Sequence, residues 1–219
     1  MKDETEASVI TGIERQKRNK KRYNVYVNDE YACSVHEDIL IKNRLLKGEQ
    51  IDVQRLRQAL EEDEKHEAYM KAIRFVAVRP RSVQEVKMKL KDLGYEADLI
   101  DWTVGRLLEQ KYLDDADFAK LWTEQRIQYQ RKGRNAVRYE LAQKGLSRDE
   151  ISKALSAVDT EEEMEGALIV GRKKWKTVSG ERMDRKRKTM AFLLRRGYPS
   201  SLVNDVMRRL SEEELENEE

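Results

Sequence analysis

One frame occurs three times in this chain: Leu90-Lys-Asp-Leu-Gly94-Tyr95, Leu141-Ala-Gln-Lys-Gly145-Leu146 and Leu193-Leu-Arg-Arg-Gly197-Tyr198. The three glycines are 51 and 52 residues apart. Apolar residues also recur 6, 10 and 13 positions after each glycine. They are Ile100, Ile151 and Val203 at the first offset, Val104, Leu155 and Met207 at the second, and Leu107, Val158 and Leu210 at the third. A period near 50 residues predicts stacked units, each of which gives its neighbour a hydrophobic face.

Each unit reads as three helices. The glycine ends the second helix, where a left-handed residue is needed and only glycine adopts that conformation without strain. Three capping boxes mark helix starts, Ser82–Glu85, Ser147–Glu150 and Thr160–Glu163. The first helices are predicted over 67–78, 115–130 and 161–176, and they carry the aromatic residues that we interpret as core anchors: Tyr69, Phe75, Phe118, Trp122 and Trp175.

Residues 1–60 differ from the rest. Val9–Ile13 and Tyr23–Val27 alternate apolar and polar residues, and Asn28-Asp29 is a turn signal before another short apolar stretch. These patterns predict a β-hairpin or a small three-stranded sheet, with a helical segment over 36–60 that is interrupted at Gly48. The predicted domains are therefore 1–60, three helical repeats at 61–113, 114–159 and 160–212, and an acidic tail at 213–219.

The composition favours narrow helices over one large globular core. Charged residues make up 39% of the chain, hydrophobic residues also 39%, and the mean hydropathy is −0.87. The single cysteine excludes a disulfide framework and a cysteine zinc cluster. No signal peptide and no membrane-spanning run is recognisable, so a cytoplasmic protein is expected.

No catalytic constellation is recognisable in the sequence. His36 and His66 both precede the predicted first helix of repeat one, and no second ligand pair accompanies them at metal spacing. His36-Glu37-Asp38 resembles a ligand cluster, but side chains at a helix start point about 100° apart and are not expected to converge on one ion. We therefore predict no enzyme, no catalytic residue, no metal and no cofactor.

Basic segments precede each predicted second helix, at a similar interval before the recurring leucine. The net charge is only +2, so these segments are local concentrations of charge. Their recurrence predicts a basic stripe that holds phosphates or acidic side chains, although solvated helix faces are the alternative. Gly133 is expected to let the backbone approach an anion. The predicted partner-binding residues are Arg79, Arg81, Arg131, Lys132, Arg134, Arg138, Arg185, Lys186, Arg187 and Lys188, with further nucleic-acid contacts expected from Arg15, Lys17, Arg18, Lys20, Lys21 and Arg22.

Three stretches carry a resemblance to a known family. They are RPRSVQEVKMKLKDLGY at 79–95, LLEQKYLDDADFAKLWTEQR at 107–126 and KGRNAVRYELAQKGLSRDEI at 132–151. Over about residues 67–210 the chain resembles RecX, the bacterial regulatory proteins of the recombinase RecA. The resemblance implies a mainly α fold of tandem three-helix repeats in an elongated curved array, here with a small N-terminal β-rich extension.

The resemblance also implies a function. Members bind the groove of the RecA–DNA filament, bridge adjacent subunits, block filament growth and depress ATPase and strand exchange, which places them in recombination, DNA repair and the SOS response. The expected partners are thus the RecA filament and DNA, directly or through the filament, with no membrane and a monomeric chain. Two alternatives stay open, an autonomous DNA-binding protein that uses its basic faces, and an interaction scaffold with another partner.

Overall fold

The computed structural model describes residues 8–216. Within that range the chain forms two compact units. One comprises the chain up to Phe75 together with Leu90–Thr103, and the other comprises Val76–Lys89 together with the chain from Val104 onward.

The N-terminal part forms the predicted three-stranded sheet. Strands β1 (Ile10–Arg15), β2 (Arg22–Val27) and β3 (Glu30–His36) pair antiparallel in the order β1-β2-β3. Asn28 and Asp29 both have positive φ, 50° and 66°, which is the conformation that a tight hairpin turn requires. The sheet packs on its own apolar core, made by Ile10, Val25, Cys33, Val35, Ile39, Leu45, Ile51 and Ala59.

The first helical segments differ from the prediction. Helix α1 is short (Glu37–Lys42), and α2 then runs without interruption from Val53 to Val78, so the expected linker helix and the first helix of repeat one are one element. The acidic stretch within α2 consists mainly of the good helix formers Glu and Lys and contains no glycine or proline. An ion pair between Glu67 and Lys71, 2.8 Å apart and four residues apart in sequence, supports the helix further.

The remaining elements confirm the three-helix repeats. After α2, repeat one continues with α3 (Val83–Asp92) and α4 (Ala97–Glu109). Repeat two contains α5 (Asp115–Glu124), which is prolonged by a π-helical turn over Gln125–Tyr129, then α6 (Arg134–Gln143) and α7 (Arg148–Ser156). Repeat three contains α8 (Thr160–Thr177), α9 (Arg182–Arg195) and α10 (Ser200–Glu216). Residues 213–216 of the predicted acidic tail are the last turn of α10, and 217–219 lie outside the described residues.

The repeated apolar positions are core positions, as predicted. Eight of the nine residues at the three offsets are buried, and Val158 is half-buried. Phe118 and Trp175 are buried anchors of repeats two and three, while Trp122, Tyr69 and Phe75 are half-buried. The sequence pattern thus identifies the hydrophobic faces of α4, α7 and α10 correctly.

Helix ends follow the sequence signals with one exception. Gly94, Gly145 and Gly197 all have φ between 84° and 86°, as a left-handed cap requires. The capping boxes at Ser82 and Ser147 are formed. The box predicted at Thr160 is wrong, because Asp159 caps α8 and the Glu163 side chain bonds elsewhere.

Among the helices of residues 8–216, none combines the length and the apolar composition needed to cross a membrane.

Candidate functional site

The predicted basic segments lie close to the starts of α3, α6 and α9. Arg79 and Arg81 precede α3, and Arg131 and Lys132 precede α6. Arg185–Lys188 differ from the prediction, because they lie inside α9 and not before it. The similar interval before the recurring leucine therefore does not give the three segments the same local structure.

In the first segment, the Glu85 carboxylate binds several basic side chains. Glu85 lies 2.8 Å from Arg79, 2.7 Å from Lys144 and 3.8 Å from Arg81. Burial raises the pKa of Glu85, but the hydrogen bonds from Arg79 and Lys144 outweigh it, so its pKa lies below the ordinary 4.5. The cations at the start of α3 thus contribute to a contact between repeats one and two.

In the second segment, Lys132 is also held by an acid within the protein. Its ammonium lies 2.5 Å from Glu140, which also accepts from Arg126 at 2.7 Å and from the Trp122 indole at 3.0 Å. The Arg126 guanidinium lies 3.8 Å from the centre of the Trp122 ring, a cation–π contact. This cluster stabilises the packing of α5 on α6.

Arg134 forms the most buried ion pair of the basic segments. Its Nε and its backbone N–H donate to Glu163 at 2.5 and 2.7 Å, and the Glu163 side chain is fully buried. Glu163 belongs to α8, so the pair joins the start of α6 to repeat three. Because Asp159 is the N-cap of α8, Glu163 lies one position beyond N3, and its carboxylate binds Arg134.

Gly133 serves a contact between repeats, and the expectation that it admits an anion is wrong. Its N–H donates to the Arg196 carbonyl at 2.9 Å, and a Cβ at Gly133 would lie 2.2 Å from the backbone nitrogen of Tyr198. The position is therefore filled by the backbone of repeat three. Arg131 takes part as well, because its carbonyl accepts from the Tyr198 hydroxyl at 2.7 Å and from the Arg196 guanidinium.

The contact between repeats one and two has the same plan. The Ser82 hydroxyl donates to the Lys144 carbonyl at 2.7 Å, and Lys144, like Arg196, immediately precedes a left-handed glycine. Gly145 faces Gln84, whose Cβ would lie 2.5 Å from a Cβ added at the glycine. Sequence reasoning missed this role of Lys144 and Arg196, although their shared position before the glycine was a usable signal.

Two grooves on repeats two and three retain accessible basic side chains. We call the first the Arg138 groove; it has a volume of about 560 Å³ and combines arginines with an apolar surface, being lined by Arg134, Arg138, Ala142, Arg148, Ile151, Ser152, Leu155 and Ser156. The second, the Lys188 groove, has a volume of about 310 Å³ and is lined by Lys174, Arg187, Lys188, Ala191 and Arg195. Neither lining contains an acidic side chain, so both grooves suit an anionic partner.

The predicted residues contribute unequally to these grooves. Arg138 is exposed and contacts Asn135, whereas Arg187 pairs with Asp184 at 3.1 Å. Arg185 pairs with Glu214 at 2.7 Å, and Lys186 is exposed outside both linings. Arg148, Lys174 and Arg195 were missed; Lys188 and Arg195 are seven residues apart on one helix, a spacing that predicts a shared face.

The N-terminal basic loop connects β1 and β2. Its residues 17, 18, 20 and 21 are exposed, and the Arg15 guanidinium is folded onto the Lys20 carbonyl at 2.5 Å. Arg22 differs from the others, because it is half-buried and pairs with Asp63 at 2.7 Å. The loop thus presents basic side chains, whereas Arg22 stabilises the contact between β2 and α2.

The two histidines lie together, contrary to the expectation from the sequence. Their ring centres are 4.5 Å apart, and His36, Asp38 and His66 offer donor atoms within 4.8 Å of one another. The prediction that these side chains diverge is wrong, because His36 precedes the helix with an extended backbone, φ −68° and ψ 150°, and helical spacing does not apply to it. Burial and the neighbouring His36 lower the pKa of His66.

Comparison with known proteins covers almost the whole chain. Family models match four consecutive regions: the regulatory protein RecX N-terminal domain at residues 8–52, and the first, second and third three-helix domains of RecX at 68–107, 114–155 and 161–207. A regulatory protein RecX of Clostridium tetani is 33% identical over 213 residues, which cover 96% of this chain and 98% of that protein. The chain belongs to the RecX family.

Further RecX proteins support the assignment. The regulatory protein RecX of Halalkalibacterium halodurans is 36% identical over 217 residues, covering 97% of this chain and 82% of the relative. A crystal structure of a regulatory protein RecX has a TM-score of 0.73 at 28% identity, covering 91% of this chain and 98% of the other. The RecX structure from Lactobacillus salivarius, at 19% identity and a TM-score of 0.64, shares the fold over 68% of this chain.

Proposed function

We propose that the protein regulates the recombinase RecA by binding in the groove of the RecA–DNA filament, where it inhibits filament growth, ATP hydrolysis and strand exchange in the cytoplasm. The observation that carries the proposal is the match to all four RecX domains along one chain, together with relatives named as regulatory proteins. Tandem repeats with basic grooves are a suitable complement to a long anionic partner.

The structure supports the Arg138 groove and the Lys188 groove as the binding surfaces, more than the edge predicted from sequence. Arg79, Lys132 and Arg134 pair with carboxylates of the protein itself. Recruiting them to a partner requires breaking those pairs, and reversing their charges destabilises the repeats. Arg138 and Arg148 form no ion pair with a carboxylate among the described residues, and both line an accessible groove.

The test is a titration of RecA's DNA-dependent ATP hydrolysis with the purified full-length chain. We expect inhibition by the wild type and a loss of inhibition of about tenfold or more in an Arg138→Glu/Arg148→Glu variant, since charge reversal at a desolvated contact costs several kcal/mol. The matched control is Lys120→Glu/Lys153→Glu, which changes two exposed lysines of the same repeat outside either groove. If the wild type has no effect on ATP hydrolysis, the role on RecA is contradicted. If both variants inhibit equally, only the assignment of the Arg138 groove as the binding surface is contradicted.

A second candidate function is direct DNA binding, which the Lys188 groove and the exposed loop cations favour. It predicts binding of DNA without RecA, with log affinity falling against log salt by about 0.9 for each phosphate neutralised. A Lys188→Gln/Arg195→Gln variant should reduce this slope. Absence of binding to DNA at low salt in a gel-shift titration eliminates this candidate.

A further inference from the structure

His36, Asp38 and His66 come from three separate elements of the N-terminal unit. His36 ends β3 and caps α1, Asp38 lies in the first turn of α1, and His66 lies on α2. Asp38 Oδ2 is 3.3 Å from His36 Nδ1 and 3.7 Å from His66 Nε2. Zn²⁺–ligand bonds of about 2.0–2.1 Å in a tetrahedron place ligand atoms about 3.4 Å apart, so both distances match one shared ion.

His66 supplies a second observation that points to a ligand. Its Nε2 atom is buried and has no hydrogen-bond partner among the described residues. A buried nitrogen without a partner is costly, and native structures rarely leave one unexplained. A metal ion at this position supplies the missing partner and is also contacted by Asp38.

The surroundings leave room for the rest of a coordination sphere. The three residues line a cavity of about 200 Å³, which has space for water molecules as further ligands. Imidazole nitrogens with one carboxylate oxygen are a donor set that suits Zn²⁺ and similar transition-metal ions. The only cysteine, Cys33, does not compete, because burial raises the pKa of its thiol to about 11.

The neighbouring charges do not prevent a dication from binding. Arg22 pairs with Asp63 at 2.7 Å, and Lys71 pairs with Glu67 at 2.8 Å, so both cations of these pairs are neutralised. Lys21 and Arg74 also line the cavity. Their positive charges repel a cation, so we expect a moderate affinity for the metal ion. The ion also displaces the long 3.3 Å hydrogen bond from the Asp38 N–H to His36 Nδ1.

We propose that His36, Asp38 and His66 form a binding site for a divalent transition-metal ion, with Zn²⁺ as the best match. The ion ties the end of the sheet and α1 to α2. The proposal is independent of the proposed role on RecA.

The experiment is calorimetric titration of ZnCl2 into the full-length chain, prepared without an affinity tag and stripped with a chelator. We expect one ion per chain, with affinity at least about tenfold weaker in His36→Asn, His66→Gln and Asp38→Asn. Asparagine can still cap α1 and glutamine is a good helix former, so these variants are designed to fold. The matched control Asp98→Asn, an exposed aspartate in the first turn of α4, should bind like the wild type.

X-ray absorption on the Zn²⁺-loaded wild type provides a readout that needs no variant. The chain contains only two histidines, so two imidazole ligands in the spectrum identify His36 and His66 directly. A wild type that retains no Zn²⁺, an all-oxygen coordination shell, or undiminished affinity in His66→Gln overturns the proposal.

Discussion

At the scale of single residues, carboxylates that bind basic side chains decide how the repeats of this RecX protein pack. Glu85 and Glu163 each join one repeat to the next, and Glu140 joins two helices of the same repeat. A basic cluster in the sequence is therefore partly a structural element. Glu163 and Glu140 each give a testable consequence.

Replacing Glu163 by glutamine should lower the free energy of unfolding by about 2 kcal/mol. Breaking a fully buried ion pair costs about 3–5 kcal/mol, and the partial exposure of Arg134 reduces that loss. Urea denaturation measures the effect, with Glu161→Gln on the exposed face of α8 as the control. Equal stability of the two variants contradicts a structural role for the pair.

Gly133→Ala should be more destabilising than Gly94→Ala, although only Gly94 has a positive φ. A Cβ at Gly133 meets the backbone of repeat three, whereas a Cβ at Gly94 meets nothing within 4 Å. Overpacking against backbone costs about 3 kcal/mol, and left-handed strain costs about 1–2 kcal/mol. A lower melting temperature for Gly94→Ala than for Gly133→Ala would show that the backbone of repeat three can move to admit a Cβ at Gly133.

Glu140 predicts a pH dependence of stability. Burial raises the pKa of Glu140, but Lys132 and Arg126 outweigh it and hold the pKa below the ordinary 4.5. A carboxyl with a lowered folded-state pKa stabilises the fold above its unfolded pKa, and this contribution is lost as the pH falls from about 4.5 through the lower folded pKa. Urea unfolding from pH 7 to pH 3 should therefore show a smaller acid-induced loss in Glu140→Gln than in the exposed-site control Glu124→Gln.

At the scale of elements, the capping boxes show how one sequence motif acquires two different roles. Ser147 caps α7 at an exposed position, whereas Ser82 caps α3, is fully buried and also donates to the Lys144 carbonyl. The bond to the Lys144 carbonyl connects two repeats and cannot be predicted from the capping motif. The two serines are therefore expected to contribute differently to the free energy of unfolding.

Ser147→Ala should cost about 1 kcal/mol, the usual loss for an N-cap. Ser82→Ala should cost about 2–3 kcal/mol, because it also leaves the Lys144 carbonyl, in a half-buried contact, without its hydroxyl donor. Chemical denaturation of both variants measures the difference, and Ser82→Thr, which retains a hydroxyl, serves as the control. Equal losses in the two alanine variants would contradict the bond between repeats.

At the scale of the whole molecule, a mutation that destabilises repeat two or repeat three should also lower the local stability of the other. The start of α6 is bound to repeat three through Gly133, Arg134 and the Arg131 carbonyl. In repeat proteins such nearest-neighbour contacts carry much of the cooperativity. The effect of a distant core mutation can therefore be followed across the contact.

Trp175→Ala should cost about 3–5 kcal/mol and also increase amide hydrogen exchange in α6. The control is Arg208→Ala, an exposed change on α10 of the same repeat. Faster exchange confined to repeat three would show that the contact does not couple the two repeats.

The sequence by itself determined the three-helix repeats, the N-terminal sheet and the buried apolar faces. These depend on local rules, since the period of the apolar residues, the left-handed glycines and the capping residues act within one element. The merging of the linker into α2 was not predicted, although the stretch that joins them is rich in the good helix formers Glu and Lys and contains no glycine or proline.

Only the tertiary structure decided which basic residues pair with carboxylates of the protein and which remain accessible in a groove. Lys132 and Arg134 look equivalent to Arg138 in sequence, but they pair with Glu140 and Glu163, which lie 8 and 29 residues away. The same applies to His36 and His66, separated by 30 residues along the chain and placed side by side by the fold. Charge and donor chemistry are local properties, whereas pairing depends on distances in space that no spacing along the chain encodes.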